Sequence, residues 1–234
     1  MDKRLLLACV GAAALSLAAC AAKPAPQDAA LVLVVGATGG TGQEIVKQAL
    51  ANGYSVRAFV RDEAKARQLF GDRVQYHVGD VRNAASIAPA LRGVAFVISA
   101  LGSNSVRDPE NKPELVDFGA VRDLANAARA ARVRQFVLVS SMGVTQPDHR
   151  LNKLLDNILI WKLRGEDALR ASGVPYTIVR PGGLRDAPAG AGGIRALQGD
   201  PRDVIGSIAR ADVAAICVRA LGEPAALGKT FEVI

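Results

Sequence analysis

Leu31-Val-Leu-Val-Val-Gly36-Ala-Thr38-Gly39-Gly40-Thr41-Gly42-Gln-Glu-Ile45-Val46-Lys-Gln-Ala49-Leu50 decides the fold. Its first residues are apolar and mostly β-branched, the pattern of a strand buried on both faces and therefore of a parallel sheet. After Gly42, the residues Ile45, Val46, Ala49 and Leu50 fall on one stripe of a helix. Between strand and helix stand four glycines in seven residues. In this spacing Gly36 makes the tight turn, Gly39 lets the backbone approach a pyrophosphate, and Gly42 lets the helix pack close to the strand. The helix start turns its free amide N–H groups and positive dipole end towards phosphates. No Lys-Ser or Lys-Thr pair follows the last glycine, which excludes a triphosphate-clamping P-loop.

Outward from this turn, strands and helices alternate. Tyr54 to Arg61 reads as the second strand. A binder of NAD carries an acid at its end for the ribose hydroxyls; Arg61 there pairs instead with a 2′-phosphate, so NADP(H) is preferred over NAD(H). Arg57 and Lys65 are candidate assistants. Val74 to Val81 is the third strand, with Asp80 placed to accept from an adenine amino group and Val81 to cover the ring. Asp80 as the cap of a helix from Ser86 to Leu91 is the structural alternative. Val94 to Gly102 is the fourth strand, and its exit Ala100-Leu101-Gly102 suits the cofactor ribose.

Asn111 to Ala131 reads as a long helix whose apolar face is Leu115, Phe118, Val121, Leu124 and Ala128. Gln135 to Gly143 is the fifth strand, ending in Ser140 and Ser141. Leu151, Leu154, Leu155 and Ile158 form the sheet-facing stripe of the next helix, and Lys162 stands at i+4 from Ile158 on that stripe. A lysine on a packing face needs a partner, and the cofactor ribose is the candidate. Pro175 to Leu184 is the sixth strand with its exit, 187–193 a Gly/Ala/Pro-rich flap, and Ala211 to Leu221 the last helix, where Asp212 serves helix stability. Lys229 to Ile234 closes the sheet. The alternation predicts an α/β, doubly wound parallel sheet in three layers, with ligands beyond the strands' carboxyl ends.

The 234 residues carry a formal charge of +7, half of them are hydrophobic and only 4% are aromatic. The basic residues are scattered rather than gathered in a stripe, which argues against a nucleic-acid partner. His77 lies mid-strand and His149 in a distant loop, with no cysteine beside either, so no metal site is expected. Cys217 stands in an apolar helical run and reads as a small core residue.

The first residues read differently. A charged Asp2-Lys3-Arg4 precedes an apolar run from Leu5 to Ala19, the build of a signal peptide. Leu17-Ala18-Ala19-Cys20 resembles the bacterial lipoprotein box, which implies cleavage before Cys20, lipidation of its thiol and a membrane partner through the anchor. The domains expected are 1–19 as signal peptide, 20–30 as lipidated cysteine and tether, and 31–234 as the folded unit. The expected location is the bacterial cell envelope, anchored and facing the periplasm with a lean to the outer membrane; a cytoplasmic protein is the alternative if the leader is a mis-start.

The run Val34 to Gly42, with Val60-Arg61-Asp62, Gly79-Asp80-Val81, Ser140-Ser141, Trp161-Lys162 and Tyr176 to Gly183, resembles the atypical short-chain dehydrogenase/reductases. The branch it is most similar to is the NmrA-like, NAD(P)H-binding one that includes biliverdin-IXβ/flavin reductase. The resemblance implies a Rossmann fold, with Thr38 and the glycines Gly36, Gly39, Gly40 and Gly42, beside Thr41, at the pyrophosphate. It implies Arg61 at the 2′-phosphate, Asp80 and Val81 at the adenine, and Pro181 and Gly182 near the nicotinamide. Ser141 and Lys162 are the catalytic candidates. The superfamily's proton donor is a tyrosine four residues before its lysine; here that position is Ile158, which donates nothing. Two functions remain: an NADPH-dependent reductase of a conjugated small-molecule acceptor such as a flavin or quinone, or a dinucleotide-binding sensor or scaffold.

Overall fold

The computed structural model describes residues 29–105 and 108–234. The proposed signal peptide, Cys20 and nearly all of the tether lie outside the described residues.

In chain order the elements are β1 (Leu31–Val35), α1 (Gly40–Ala51), β2 (Ser55–Val60), α2 (Glu63–Phe70), β3 (Gln75–Val78), α3 (Ile87–Ala90) and β4 (Phe96–Ser99). A π-helical segment (Glu114–Ala120) then leads into α4 (Val121–Ala130), β5 (Gln135–Val139), α5 (Arg150–Leu154) and α6 (Ile158–Ala171). The last part holds β6 (Tyr176–Pro181), β7 (Gly183–Arg185), β8 (Ala196–Leu197), β9 (Ser207–Ala209), α7 (Arg210–Ala220) and β10 (Lys229–Val233). The main sheet runs β3-β2-β1-β4-β5-β6-β10-β8. Every pairing is parallel except β10 with β8 at the edge. This is the doubly wound α/β fold the alternation predicts, and the strand order reverses between β1 and β4.

The apolar run of β1 shows why both faces must be covered. Val32 and Val34 pack with Ile45, Val46, Val213 and Cys217 of α1 and α7. Leu33 and Val35 point the other way, onto Ile87, Leu124, Phe136 and Leu169. Period-two alternation thus feeds two cores rather than one core and a wet face. Cys217 is fully buried, as expected, and burial pushes its thiol up to about 12.

Two helices depart from their expected reading. The helix over 111–131 begins with the π-helical turn, and Leu115 of the expected apolar face is exposed while Val116, Asp117 and Ala120 are buried. An i→i+5 turn inserts one residue into the helical phase, so the face that continues through Val121, Leu124 and Ala128 shifts by one position before it. The stripe Leu151, Leu154, Leu155 and Ile158 does not lie on one helix. Asp156 and Asn157 take left-handed backbone, φ 48° and 60°, and break α5 from α6. Leu154 is exposed, and Leu159 takes the buried place.

Candidate functional site

Two glycines of the opening turn have no room for a side chain. Gly36 has φ +79°, and a Cβ there would stand 2.6 Å from the Ala100 carbonyl oxygen. A Cβ at Gly42 would stand 2.0 Å from the Gly36 carbonyl oxygen, so α1 begins against the turn itself. Beyond this turn, at the β1/β4 reversal, lies a cavity of about 220 Å³. It gathers Gly36, Thr38, Gly39, Arg61, Asp80, Val81, Ala100, Leu101 and Gly102 from four different strand exits. Gly40, Thr41 and Gly42 sit behind it as the first turn of α1.

The charged side chains here are already partnered. Asp80 is gripped by Arg82, whose Nε donates to Oδ1 at 3.0 Å and whose Nη2 donates to Oδ2 at 2.6 Å. The hydrogen bonds and charge of Arg82 hold the Asp80 carboxyl below its ordinary value. The alternative role of Asp80 as a helix cap is not met: Asn83 accepts from the Ala85 amide instead. Arg61 reaches Asp108 at 3.3 Å and remains largely exposed at the rim. Arg57 reaches Gln75 Oε1 and the carbonyls of Ala90 and Arg92 instead of the cavity, because it stands near the start of β2, four residues short of the exit where Arg61 lies. Lys65 lies in the first turns of α2, outside the cavity lining.

Lys162 has a partner that the sequence reading did not find. Its ammonium lies 2.7 Å from Asp117 Oδ1 and 3.5 Å from the Leu101 carbonyl oxygen. Asp117 is buried on the π-helical turn, and its other oxygen accepts from the Ser103 amide at 3.1 Å. The two helices meet this closely because Gly165 faces the turn, where a Cβ would stand 2.2 Å from the Asp117 carbonyl oxygen. The serine that shares a small void with Lys162 and Asp117 is Ser140, whose buried hydroxyl has no hydrogen-bond partner among the described residues. Ser141 donates to the Met142 carbonyl oxygen at 2.9 Å and belongs to a different space.

That space is a second cavity, about 510 Å³, at the ends of β5 and β6. Ser141, His149, Pro181 and Gly182 line it, with Arg150, Arg202 and Ile205. Asp200 builds one wall by accepting from the Gly143 amide at 2.6 Å and the Thr145 amide at 2.9 Å. His149, read as a distant loop residue, is therefore part of the site; no spacing in the sequence reveals this, since residues after Gly143 fold the loop back. Its Nδ1 accepts from the Leu151 amide at 3.1 Å. Asp212 also does more than favour the start of α7, because its Oδ1 accepts from the Gly190 amide of the flap at 2.7 Å. No cluster of metal-ligating side chains occurs among the described residues.

A family model described as NAD(P)H-binding matches residues 36–224. The chain belongs to that NAD(P)H-binding family. It is 39% identical to the chloroplastic protein At2g37660 of Arabidopsis thaliana over 81% of this chain and 65% of that protein. It is 36% identical to sanguinarine reductase of Eschscholzia californica, over 86% of this chain and 87% of the other. Among solved structures it is similar to ChuY, an anaerobillin reductase of Escherichia coli O157:H7, with a TM-score of 0.74, 28% identity and coverage of 87% and 96%. The chain spans just under two thirds of the Arabidopsis relative's length.

The relatives correct the expected location. Plant relatives are chloroplastic by name, which contradicts an anchored lipoprotein of the bacterial envelope. Among the described residues no helix is long and apolar enough to cross a membrane. The signal peptide, the lipidation of Cys20 and the membrane partner lose their support with the location. A box of four common small and apolar residues carries too little information to stand against relatives matched over most of the chain.

Proposed function

We propose that this chain is an NADPH-dependent reductase of a conjugated acceptor, of flavin or quinone type. The observation that carries the reading is the second cavity, large enough for a planar acceptor and lined by Ser141, His149, Pro181 and Gly182. Reductase is also the named activity of two of the similar proteins.

In this reading Gly36, Thr38 and Gly39, with the first-turn amides of Gly40, Thr41 and Gly42, hold the pyrophosphate. Arg61 selects the 2′-phosphate, assisted by Arg82, and makes NADP(H) the preferred dinucleotide. Asp80 and Val81 meet the adenine, while Ala100, Leu101, Gly102 and Lys162 follow the ribose. Pro181 and Gly182 bound the nicotinamide. The bound dinucleotide supplies a hydride; the protein's contribution is orientation and a hydrogen bond to the charge that develops on the acceptor.

His149 turns a hydrogen-bond donor toward the acceptor. Its Nδ1 accepts a backbone N–H, so the neutral ring carries its proton on Nε2. Nε2–H hydrogen-bonds the acceptor atom on which negative charge develops as the hydride arrives, and water supplies the proton that completes the reduction. Ser141 orients the acceptor. The test is loss of NADPH absorbance when the protein meets NADPH with FMN or a quinone. Acceptor-dependent oxidation that falls about 10²–10³-fold in kcat for His149→Ala supports the reading. Ile158 favours a second reading, a dinucleotide-binding sensor or scaffold without turnover; tight NADPH binding with no oxidation by any acceptor supports that one instead.

A further inference from the structure

Arg210 opens α7, but its side chain lies across the first turn of α1. A Cβ on Gly40 would stand 2.9 Å from the Arg210 Nε and 3.0 Å from its Cδ. The first turn of a helix offers amide N–H groups that have no carbonyl partner within the helix. The first turn of α1 carries no charged side chain of its own, Gly40-Thr41-Gly42-Gln43 being wholly neutral. The tertiary fold therefore brings beside this turn a cation that the local sequence lacks. Its present partner is weakly bound: Asp186 Oδ1 accepts from Arg210 Nη1 at 3.0 Å, yet the Asp186 side chain is 90% exposed and well screened.

We propose that Arg210 is a pyrophosphate-binding residue, which trades the exposed Asp186 carboxylate for phosphate oxygens when the dinucleotide docks. The inference rests on the dinucleotide reading of the first cavity and adds a residue to it from the far end of the chain. A guanidinium suits the task because its planar fork meets two oxygens at once and its charge adds to the helix dipole. Gly40 is then a glycine for a reason beyond backbone approach to the ligand: it makes room for this arginine.

The pyrophosphate is common to NADP⁺ and NAD⁺, and this decides the test. Calorimetric titration of the full chain is compared for the parent, Arg210→Ala, Arg210→Lys, Asp186→Asn and Arg61→Ala, with ligand-free melting temperature as a check of folding. The expected result is that Arg210→Ala weakens NADP⁺ and NAD⁺ by the same factor, about tenfold or more. Arg210→Lys recovers part of the loss. Asp186→Asn leaves both affinities equal to the parent's or tighter, and Arg61→Ala changes only the ratio between the two nucleotides. Unchanged NADP⁺ affinity in Arg210→Ala overturns the proposal. So does an equal loss in Asp186→Asn, which would make Arg210 a staple for the loop and nothing more. A parent chain that binds neither nucleotide overturns the dinucleotide reading itself, and this assignment with it.

Discussion

At Gly42 two opposing effects can be weighed at a single residue. In a helix interior alanine is better than glycine by about 1 kcal/mol. Here the added methyl would lie 2.0 Å from a backbone oxygen that cannot rotate away. Overpacking of that kind costs about 1–3 kcal/mol, so Gly42→Ala is expected to lower the melting temperature and to abolish dinucleotide binding. Gly102 is the control, since nothing lies within 4 Å of a Cβ there and Gly102→Ala is expected to melt as the parent does. Asp80 gives a pH signature. Its carboxyl is depressed by Arg82, so the stability it contributes is present above the unfolded value near about 3.9 and is lost as pH falls through the folded value. The difference in melting temperature between parent and Asp80→Asn should therefore be visible at neutral pH and vanish in acid. A difference that persists unchanged in strong acid would contradict the pairing.

Elements, rather than residues, carry Lys162 to its place. The π-helical turn and α6 hold Asp117 and Lys162 at 2.7 Å with the carboxylate fully buried. Removing one partner of a buried pair costs about 3–5 kcal/mol because the other charge is stranded. Lys162→Met is expected to lose that much by chemical denaturation, whereas Lys162→Met with Asp117→Asn should lose clearly less. Equal losses would mean that the pair does not couple the helices. The α5–α6 break is held by Asn152, whose buried Oδ1 accepts from the Leu159 and Ile160 amides at 2.9 and 3.3 Å. Asn152→Ala should cost about 1–3 kcal/mol and, by loosening the start of α6, disturb Lys162 with it. A variant as stable as the parent would show that Asp156 and Asn157 set the break unaided. These devices were hidden from the sequence. A π-turn keeps an apolar-looking pattern while shifting its phase, and a left-handed break between two apolar runs leaves a continuous stripe on paper. The strands and the glycine turn were legible because β-branched runs and obligatory glycines report on local backbone alone.

Across the whole molecule, the site stands on a buried charge network. Arg180 of β6 donates to both oxygens of Glu166 on α6, at 2.9 and 2.6 Å, and to Glu232 of β10 at 3.0 Å. Burial alone would lower the Arg180 guanidinium, but the hydrogen bonds and charge of the two carboxylates raise it above its ordinary value. The network fixes α6, which carries Lys162, against the strand that ends in Pro181. The first cavity was legible because one parallel sheet brings consecutive strand exits to a single edge, so residues quoted strand by strand arrive together. Asp117 and His149 were not legible, since one arrives by a helix crossing and the other by a loop that folds back; Arg82 and Ser140 adjoin residues that were read, and only their side-chain surroundings in the fold set them apart. The location was misread from a short leader whose few residues carry little information. In the function proposed, the turn from Gly36 to Gly42 grips a dinucleotide and Arg61 selects the one with a 2′-phosphate. Calorimetric titration of the purified chain with NADPH and NADH tests it most directly. Saturable heat with both, tighter for NADPH and with that preference lost in Arg61→Ala, is the predicted result; no heat from either nucleotide would contradict it.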